Sequence, residues 1–196
     1  MEVWLTEWNQ AAWTSKAGSQ IWAQALSVVA VGLDQLTSPS VTMSLVHNIV
    51  DGVPNPQDVG ISTTFPAFAD GANGSEPITR TALGHALPLL FGAVPPGSTV
   101  KALDLPRATK VGAHRSVVGV AVAGGSPGAV FVNLGDERVE VQLPGEMRGT
   151  WVVTAVTAGA DSQPGWVAAD TVTTTRVTVE RTVQLPPYSV VGVARP

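Results

Sequence analysis

The chain has 196 residues, 44% of them hydrophobic and 13% charged, with a formal net charge of -4 and a sequence pI near 5.2. That length suits one ordinary domain or two small ones with enough apolar surface for a core. The acidic balance offers no basic field for phosphates, which speaks against a nucleic acid or an anionic membrane as partner. The absence of cysteine removes disulfide staples and thiolate metal sites and leaves the compartment, cytoplasmic or secreted, undetermined. No basic segment followed by an apolar one opens the sequence and no run of about 18 apolar residues occurs, so neither a signal peptide nor a membrane span is expected.

The first nine residues, Met-Glu-Val-Trp-Leu-Thr-Glu-Trp-Asn, carry the strongest chemical signal. Alternation puts Val3, Leu5, Glu7 and Asn9 on one side of a strand and Trp4, Thr6 and Trp8 on the other. Both sides are largely apolar until the end, as in a parallel strand buried on both faces. A short apolar run closing on a carboxylate flanked by Thr6, Trp8 and Asn9 is what the catalytic end of a barrel strand looks like. The plain alternative for Glu7 is a solvated glutamate at a strand end.

Ile21, Trp22, Ala25, Leu26, Val29, Leu33 and Leu36 then recur at helical spacing until Thr37-Ser38-Pro39 stops the helix. A second strand is expected over 41–50, with Val41, Met43, Leu45 and His47 sharing a side. Strand, helix and strand in close succession make a βαβ unit with parallel strands, and His47 and Asn48 then join Glu7 at one rim as candidate substrate contacts. For His47 the competing reading is a histidine satisfied by backbone.

Residues 51–78, rich in Gly, Pro, Asp, Asn and Ser, read as a long loop. A second helix runs from Thr79 through Ala82, Leu83, Ala86, Leu87, Leu90 and Phe91, with Pro88 in its middle, to the Pro95-Pro96-Gly97 breaker. The character then changes to short Val- and Thr-rich runs separated by turns, at 98–105, 116–123, 129–134, 138–143, 150–158, 175–185 and 188–194. Seven such runs imply an antiparallel β-sandwich. Gly135-Asp136 reads as a hairpin turn, and Pro186-Pro187 turns the chain into the last strand.

Taken together, Val-Trp-Leu-Thr-Glu-Trp-Asn (3–9), the helix segment Ile21-Trp22-Ala23-Gln24-Ala25-Leu26 and Val46-His47-Asn48 resemble the seventh and eighth strands of the retaining (β/α)8-barrel glycosidase clan. The likeness is greatest to its α-L-arabinofuranosidase-like members. Ala129-Val-Phe-Val-Asn133-Leu, Val139-Glu-Val-Gln-Leu-Pro144 and Leu185-Pro-Pro-Tyr-Ser-Val190 are similar to the all-β domain that follows the barrel in these enzymes. The fold class the resemblance implies is α/β plus all-β: the last two β/α units of an incomplete TIM barrel over 1–95, then a β-sandwich over 96–196, in a chain that starts late in the barrel.

The resemblance also implies roles. Glu7 matches the catalytic nucleophile, and Trp8, Asn9 and Trp13 fall where substrate-binding neighbours stand. Thr6 departs from the residue that often precedes the glutamate in arabinofuranosidases, which leaves sugar specificity open. A retaining glycosidase needs a second carboxyl group roughly 5 to 5.5 Å from the first. In the clan this acid follows the fourth strand, usually after an Asn, and no Asn-Glu pair occurs in this sequence. Glu2 is no substitute, being five residues back on the opposite face and roughly 17 Å away at the usual strand rise, and Asp51 would depart from the family.

The implied activity is therefore that of a glycoside hydrolase acting on an oligo- or polysaccharide, with the isolated chain inactive. No cofactor or metal is expected: His47, His85 and His114 show no ligand spacing, and no Gly-rich strand-to-helix turn cradles a phosphate. The competing reading is a non-catalytic sandwich that binds carbohydrate, or serves structurally, for which the only aromatic platform would come from Phe131, Trp151, Trp166 and Tyr188. Two parallel strands without the rest of a barrel leave exposed edges that invite self-association. The isolated chain is expected to run as associated species on sizing chromatography, and a sharp monomer peak with cooperative melting would contradict this.

Overall fold

A computed structural model of the chain describes residues 2–8, 22–46, 50–52, 68–70, 79–80, 82–95, 97–105, 110–111, 114–115, 117–124, 127–158 and 172–196. Among these residues the elements follow in the order β1 (Val3–Trp8), α1 (Trp22–Thr37), β2 (Val41–Val46), β3 (Val50–Gly52), β4 (Phe68–Asp70), β5 (Thr79–Arg80) and α2 (Ala82–Ala93). The later part is all β: β6 (Thr99–Ala102), β7 (Lys110–Val111), β8 (His114–Arg115), β9 (Val117–Ala123), β10 (Gly128–Asn133), β11 (Val139–Gln142), β12 (Trp151–Ala158), β13 (Val172–Val179), β14 (Thr182–Leu185) and β15 (Ser189–Ala194).

Six of these strands form one sheet in the order β13-β12-β15-β10-β9-β6, every neighbouring pair antiparallel. All six residues of β10 are buried, so its side chains face apolar neighbours on both sides of the sheet. On one face Val120, Val122, Val130, Val132, Val156 and Val190 meet α1 and α2. On the other, Phe131, Trp151, Val153, Val191 and Val193 meet Val141, Val183 and Leu185 of the two-stranded sheet β11-β14. Each fully buried Val or Phe contributes about 1.5–3 kcal/mol, so both coverings are substantial.

The helices form where the sequence spacing puts them. Trp22, Leu26, Val29 and Leu33 of α1 are fully buried, and α1 closes with Ser38 N–H donating to the Gln35 carbonyl at 3.1 Å ahead of Pro39. α2 runs through Pro88, a residue that costs a helix interior about 3 kcal/mol. Burial of Leu83, Ala86, Leu87 and Leu90 offsets it. Phe91, expected in the apolar stripe, instead lies 52% exposed, because the buried stripe passes through Leu90 and Ala93 one step around the helix. α2 comes close to β15 at Gly192, where an added Cβ would sit 3.3 Å from Leu89. On the opposite face Phe131 lies against its cross-strand partner Gly119, where an added Cβ would come within 2.6 Å of the ring.

Four expectations are corrected. The run 175–185 is not one strand: it breaks at Glu180-Arg181 into β13, which pairs with β12, and β14, which crosses to pair with β11. Gly135-Asp136 does not close a hairpin, since β10 pairs with β9 and β15 while β11 pairs with β14. The second strand, expected over 41–50, is described over Val41–Val46, and Val50–Gly52 joins a separate small sheet, β3-β4-β5, in which β4 falls in the expected loop and β5 takes Thr79–Arg80, where the second helix was expected to open; α2 is described from Ala82. β1 is not covered on both faces within the described residues: Trp4 is 64% exposed.

Asn133, 1% exposed, explains the missing hairpin. Its Nδ2 donates to the carbonyls of Glu137 at 2.8 Å and Pro186 at 2.9 Å, with Leu185 O at 3.4 Å, and its Oδ1 accepts from Gly135 N–H at 3.0 Å. The side chain thus ties the end of β10 to the corner between β14 and β15 and sends the chain into the second layer. Replacing Asn133 by Ala leaves several buried backbone groups unsatisfied. It is expected to lower unfolding free energy by about 3 kcal/mol in urea titrations; a loss below about 1 kcal/mol would mean water replaces the amide.

Candidate functional site

β1 and β2 run parallel and are joined by α1, which packs on β2. β1 enters the pair with Val3 N–H donating to the Ser40 carbonyl at 2.7 Å, and the strands end level, Trp8 opposite Val46. Glu7 is the penultimate residue of β1, at the carboxyl end of a strand in a βαβ unit, where α/β folds place their chemistry. The register is broken there: Leu5 pairs with Ser44 and Trp8 with Val46, so three steps of β1 match two of β2, and the extra residue falls at Thr6-Glu7. Such irregularities re-aim side chains and are frequent beside active sites. They also mean that simple alternation from Val3 and Leu5 does not decide which way Glu7 faces. A second irregularity, between Val3 and Trp4, does the same for β2.

For Glu7 and Trp8 the backbone is described and the side chains are not. Asn9, Trp13, His47 and Asn48 lie outside the described residues, as does Trp166. His47 and Asn48 follow directly on Val46, the residue paired with Trp8.

A groove of about 550 Å³ lies elsewhere, between α1 and the sheet, lined by Leu26, Ser27, Asp34, Leu103, Val118 and Tyr188 among others, with no residue of β1 or β2. Among its described lining residues Asp34 and Tyr188 are the titratable groups. Of the aromatics considered as a sugar platform, Phe131 and Trp151 are fully buried. Trp151 is further fixed by its Nε1 donating to the Met147 carbonyl at 3.3 Å and by the Arg195 guanidinium 4.1 Å from its ring centre. Neither can meet a glycan. Among the described residues no helix is long and apolar enough to cross a membrane, and no group of three or more His, Asp or Glu could hold a metal ion.

The polar contacts that sequence reasoning missed join α1 to the corner before β15. Trp22, fully buried at the first position of α1, donates its Nε1–H to the Tyr188 carbonyl at 2.6 Å. Tyr188 adopts φ +47°, the one positive φ of a non-glycine residue among those described, a conformation that costs roughly 1–2 kcal/mol. Its own N–H donates to the Gly135 carbonyl at 3.0 Å, and Ser189 Oγ donates to the Pro186 carbonyl at 2.7 Å. The signal available in the sequence was Asn133-Leu-Gly135, an Asx-type turn, facing the Pro186-Pro187 corner.

The fold these elements build is glycosidase-like. It matches solved glycoside hydrolases of families GH51 and GH30, in each case over nearly the whole of this chain. An arabinose-bound GH51 α-L-arabinofuranosidase aligns with a TM-score of 0.70 at 13% identity, covering 99% of this chain and 32% of that one. The thermostable GH51 α-L-arabinofuranosidase from Thermotoga petrophila gives 0.66 at 13% identity, covering 100% and 43%. A glycoside hydrolase family 30 subfamily 8 xylanase from Clostridium acetobutylicum gives 0.60 at 12% identity, covering 100% and 43%. The chain thus spans between a third and a little over two fifths of the length of these proteins, and at such identities the likeness is one of fold. No family model matches the chain, and no curated protein sequence does.

Partial burial first, then the Asp136 carboxylate, push the Tyr188 phenol above its ordinary value of 10.0. The folded state therefore holds this proton longer than the unfolded chain. Its contribution is complete below the unfolded pKa and is lost as pH rises through the raised folded value. The stability difference between wild type and Tyr188→Phe is expected to shift against wild type as pH rises above the ordinary tyrosine value of 10.0. A difference constant over that range in chemical denaturation would show that the phenol is freely solvated.

Proposed function

We propose that residues 1–95 supply the seventh and eighth β/α units of a (β/α)8 barrel, that residues 96–196 form its trailing β-sandwich, and that Glu7 is the nucleophile of a retaining glycoside hydrolase of the arabinofuranosidase-like kind. The substrate is an arabinofuranose-bearing oligo- or polysaccharide, and Trp8, Asn9, Trp13, His47 and Asn48 contact it. The observation that carries this reading is the place of Glu7: the carboxyl end of the first strand of a parallel βαβ unit, at a break in register, in a fold that matches solved glycosidases. The choice of sugar rests on the resemblance of Val-Trp-Leu-Thr-Glu-Trp-Asn (3–9) to the arabinofuranosidase-like members, from which Thr6 departs.

In this mechanism the Glu7 carboxylate attacks the anomeric carbon, the bond to the leaving oxygen breaks, and a glycosyl ester forms that water then hydrolyses. Protonation of the leaving oxygen falls to a second carboxyl group, raised in pKa by its surroundings while the nucleophile stays ionised; in the clan it follows the fourth barrel strand. Burial of both aromatic residues Phe131 and Trp151 removes the main support for a sugar-binding sandwich.

A dinitrophenyl 2-deoxy-2-fluoro-α-L-arabinofuranoside isolates the first step, because dinitrophenolate departs as an anion and needs no acid. The full protein that carries this sequence is expected to gain one fluoroarabinosyl mass on the peptide containing Glu7. Glu7→Gln is expected to gain none and to lose at least about a thousandfold in turnover of ordinary aryl arabinosides. Labelling that persists in Glu7→Gln overturns the assignment, and labelling only by the xylosyl analogue overturns the sugar.

A further inference from the structure

We infer that the sheet of the all-β part is a working component of the site: through its main-chain carbonyl Tyr188 holds the Trp22 indole, and the two are positioning residues for the end of β1 that carries Glu7. The inference rests on the reading of Glu7 as nucleophile.

α1 begins at Trp22 and follows β1 in sequence, so its first turn stands at the same end of the βαβ unit as the carboxyl end of β1. A helix held there only by apolar packing can shift along its ridges, since such contacts have no preferred direction. Trp22 removes that freedom: it is fully buried and its Nε1–H meets the carbonyl of a residue 166 positions away at 2.6 Å. The acceptor is itself held. Tyr188 keeps φ +47° while its N–H is taken by Gly135 O, Gly135 N–H is taken by Asn133 Oδ1, and Asn133 Nδ2 clamps the carbonyls of Glu137 and Pro186. A strained residue over-determined by its surroundings marks a place where geometry is being imposed.

The other end of α1 passes the constraint on. Ser44 Oγ of β2 donates to Gln35 Oε1 at 2.6 Å, Val41 N–H donates to the Ser38 carbonyl at 3.2 Å, and Val3 N–H donates to the Ser40 carbonyl at 2.7 Å. β2 in turn is the hydrogen-bonded neighbour of β1 at Leu5 and Trp8, either side of Glu7. The sheet corner, α1, β2 and β1 are thus linked by directional bonds that end in the backbone pairing of β1 at Leu5 and Trp8, on either side of Glu7. Misplacement of a reacting group by about an ångström costs on the order of a hundredfold in rate, so this chain of bonds acts on catalysis and not only on stability.

The test replaces Trp22 with 3-benzothienylalanine, which keeps the shape of the indole and puts sulfur in place of its N–H, in the full protein and at a temperature where both forms are folded. The first-order rate of fluoroarabinosyl labelling is expected to fall by about tenfold or more, with the half-saturating concentration of the reagent unchanged. Hydrogen exchange of β1 and of the first turn of α1 is expected to quicken while β10 and β15 keep their protection. A purely structural role would leave the labelling rate and the β1 exchange at their wild-type values, and that result overturns the inference. If wild type itself is not labelled, the reading of Glu7 fails and exchange alone decides the coupling: faster exchange in β1 sustains it, unchanged exchange sinks it.

Discussion

The structure depends on one central sheet that must be covered on both faces. β10 is buried along its whole length and β15 over five of its six residues, so neither layer can stand without two partners. The two helices cover one face and β11-β14 the other. This is why α1 and α2, which belong by sequence to a βαβ pattern, share a core with strands that belong by sequence to a sandwich. Gly192 marks a close approach of the helical layer, where an added Cβ would sit 3.3 Å from Leu89, and Gly119 makes room within the sheet for the ring of its cross-strand neighbour Phe131.

Much of this arrangement could be read from residue patterns. Helix α1 was legible because Trp22, Leu26, Val29 and Leu33 repeat at its period and Pro39 ends it. The Val-rich runs of β9, β10, β12 and β15 were legible because strands buried on both faces carry apolar residues at nearly every position. What misled was local chemistry overridden by distant partners. Gly135-Asp136 has hairpin composition, but Asn133 spends its amide on Glu137 and Pro186 and redirects the chain between layers. The run 175–185 has uniform β propensity, and nothing in Glu180-Arg181 announces a break. The change lies in burial, from the exposed threonines of β13 to the alternately buried Val183 and Leu185 of β14. Burial is a tertiary quantity that propensity does not contain.

The candidate site was legible in a different way. No periodicity distinguishes a nucleophile from a solvated glutamate, and Glu7 stands out by resemblance of Val-Trp-Leu-Thr-Glu-Trp-Asn to a glycosidase strand end. The physical argument contributes the setting: parallel pairing with β2, strands that end level, and an extra residue at Thr6-Glu7. That extra residue is also where the alternation argument stops, since one inserted position reverses which face the next side chain takes. The aromatics show the converse. Trp151 and Phe131 looked available to a glycan in the sequence and are core in the fold, because cross-strand glycine and the Arg195 guanidinium close over them.

The distribution of buried polar groups says what the all-β part is for. Asn133 and Ser189 are the buried polar residues among those described, and both sit at the corner that presents Tyr188 to Trp22. A sandwich serving only as ballast could fill that corner with apolar side chains, since a buried amide gains little net stability over a well-packed hydrophobe. What an amide adds is direction: three short bonds, with a longer one to the Leu185 carbonyl, fix the turn that leads to Tyr188. Apolar layers on the two faces supply the stability, and the polar corner sets where the helix begins. Since α1 is the helix that follows the strand carrying Glu7, the position of the proposed nucleophile is referred to a sheet whose strands lie between Thr99 and Ala194.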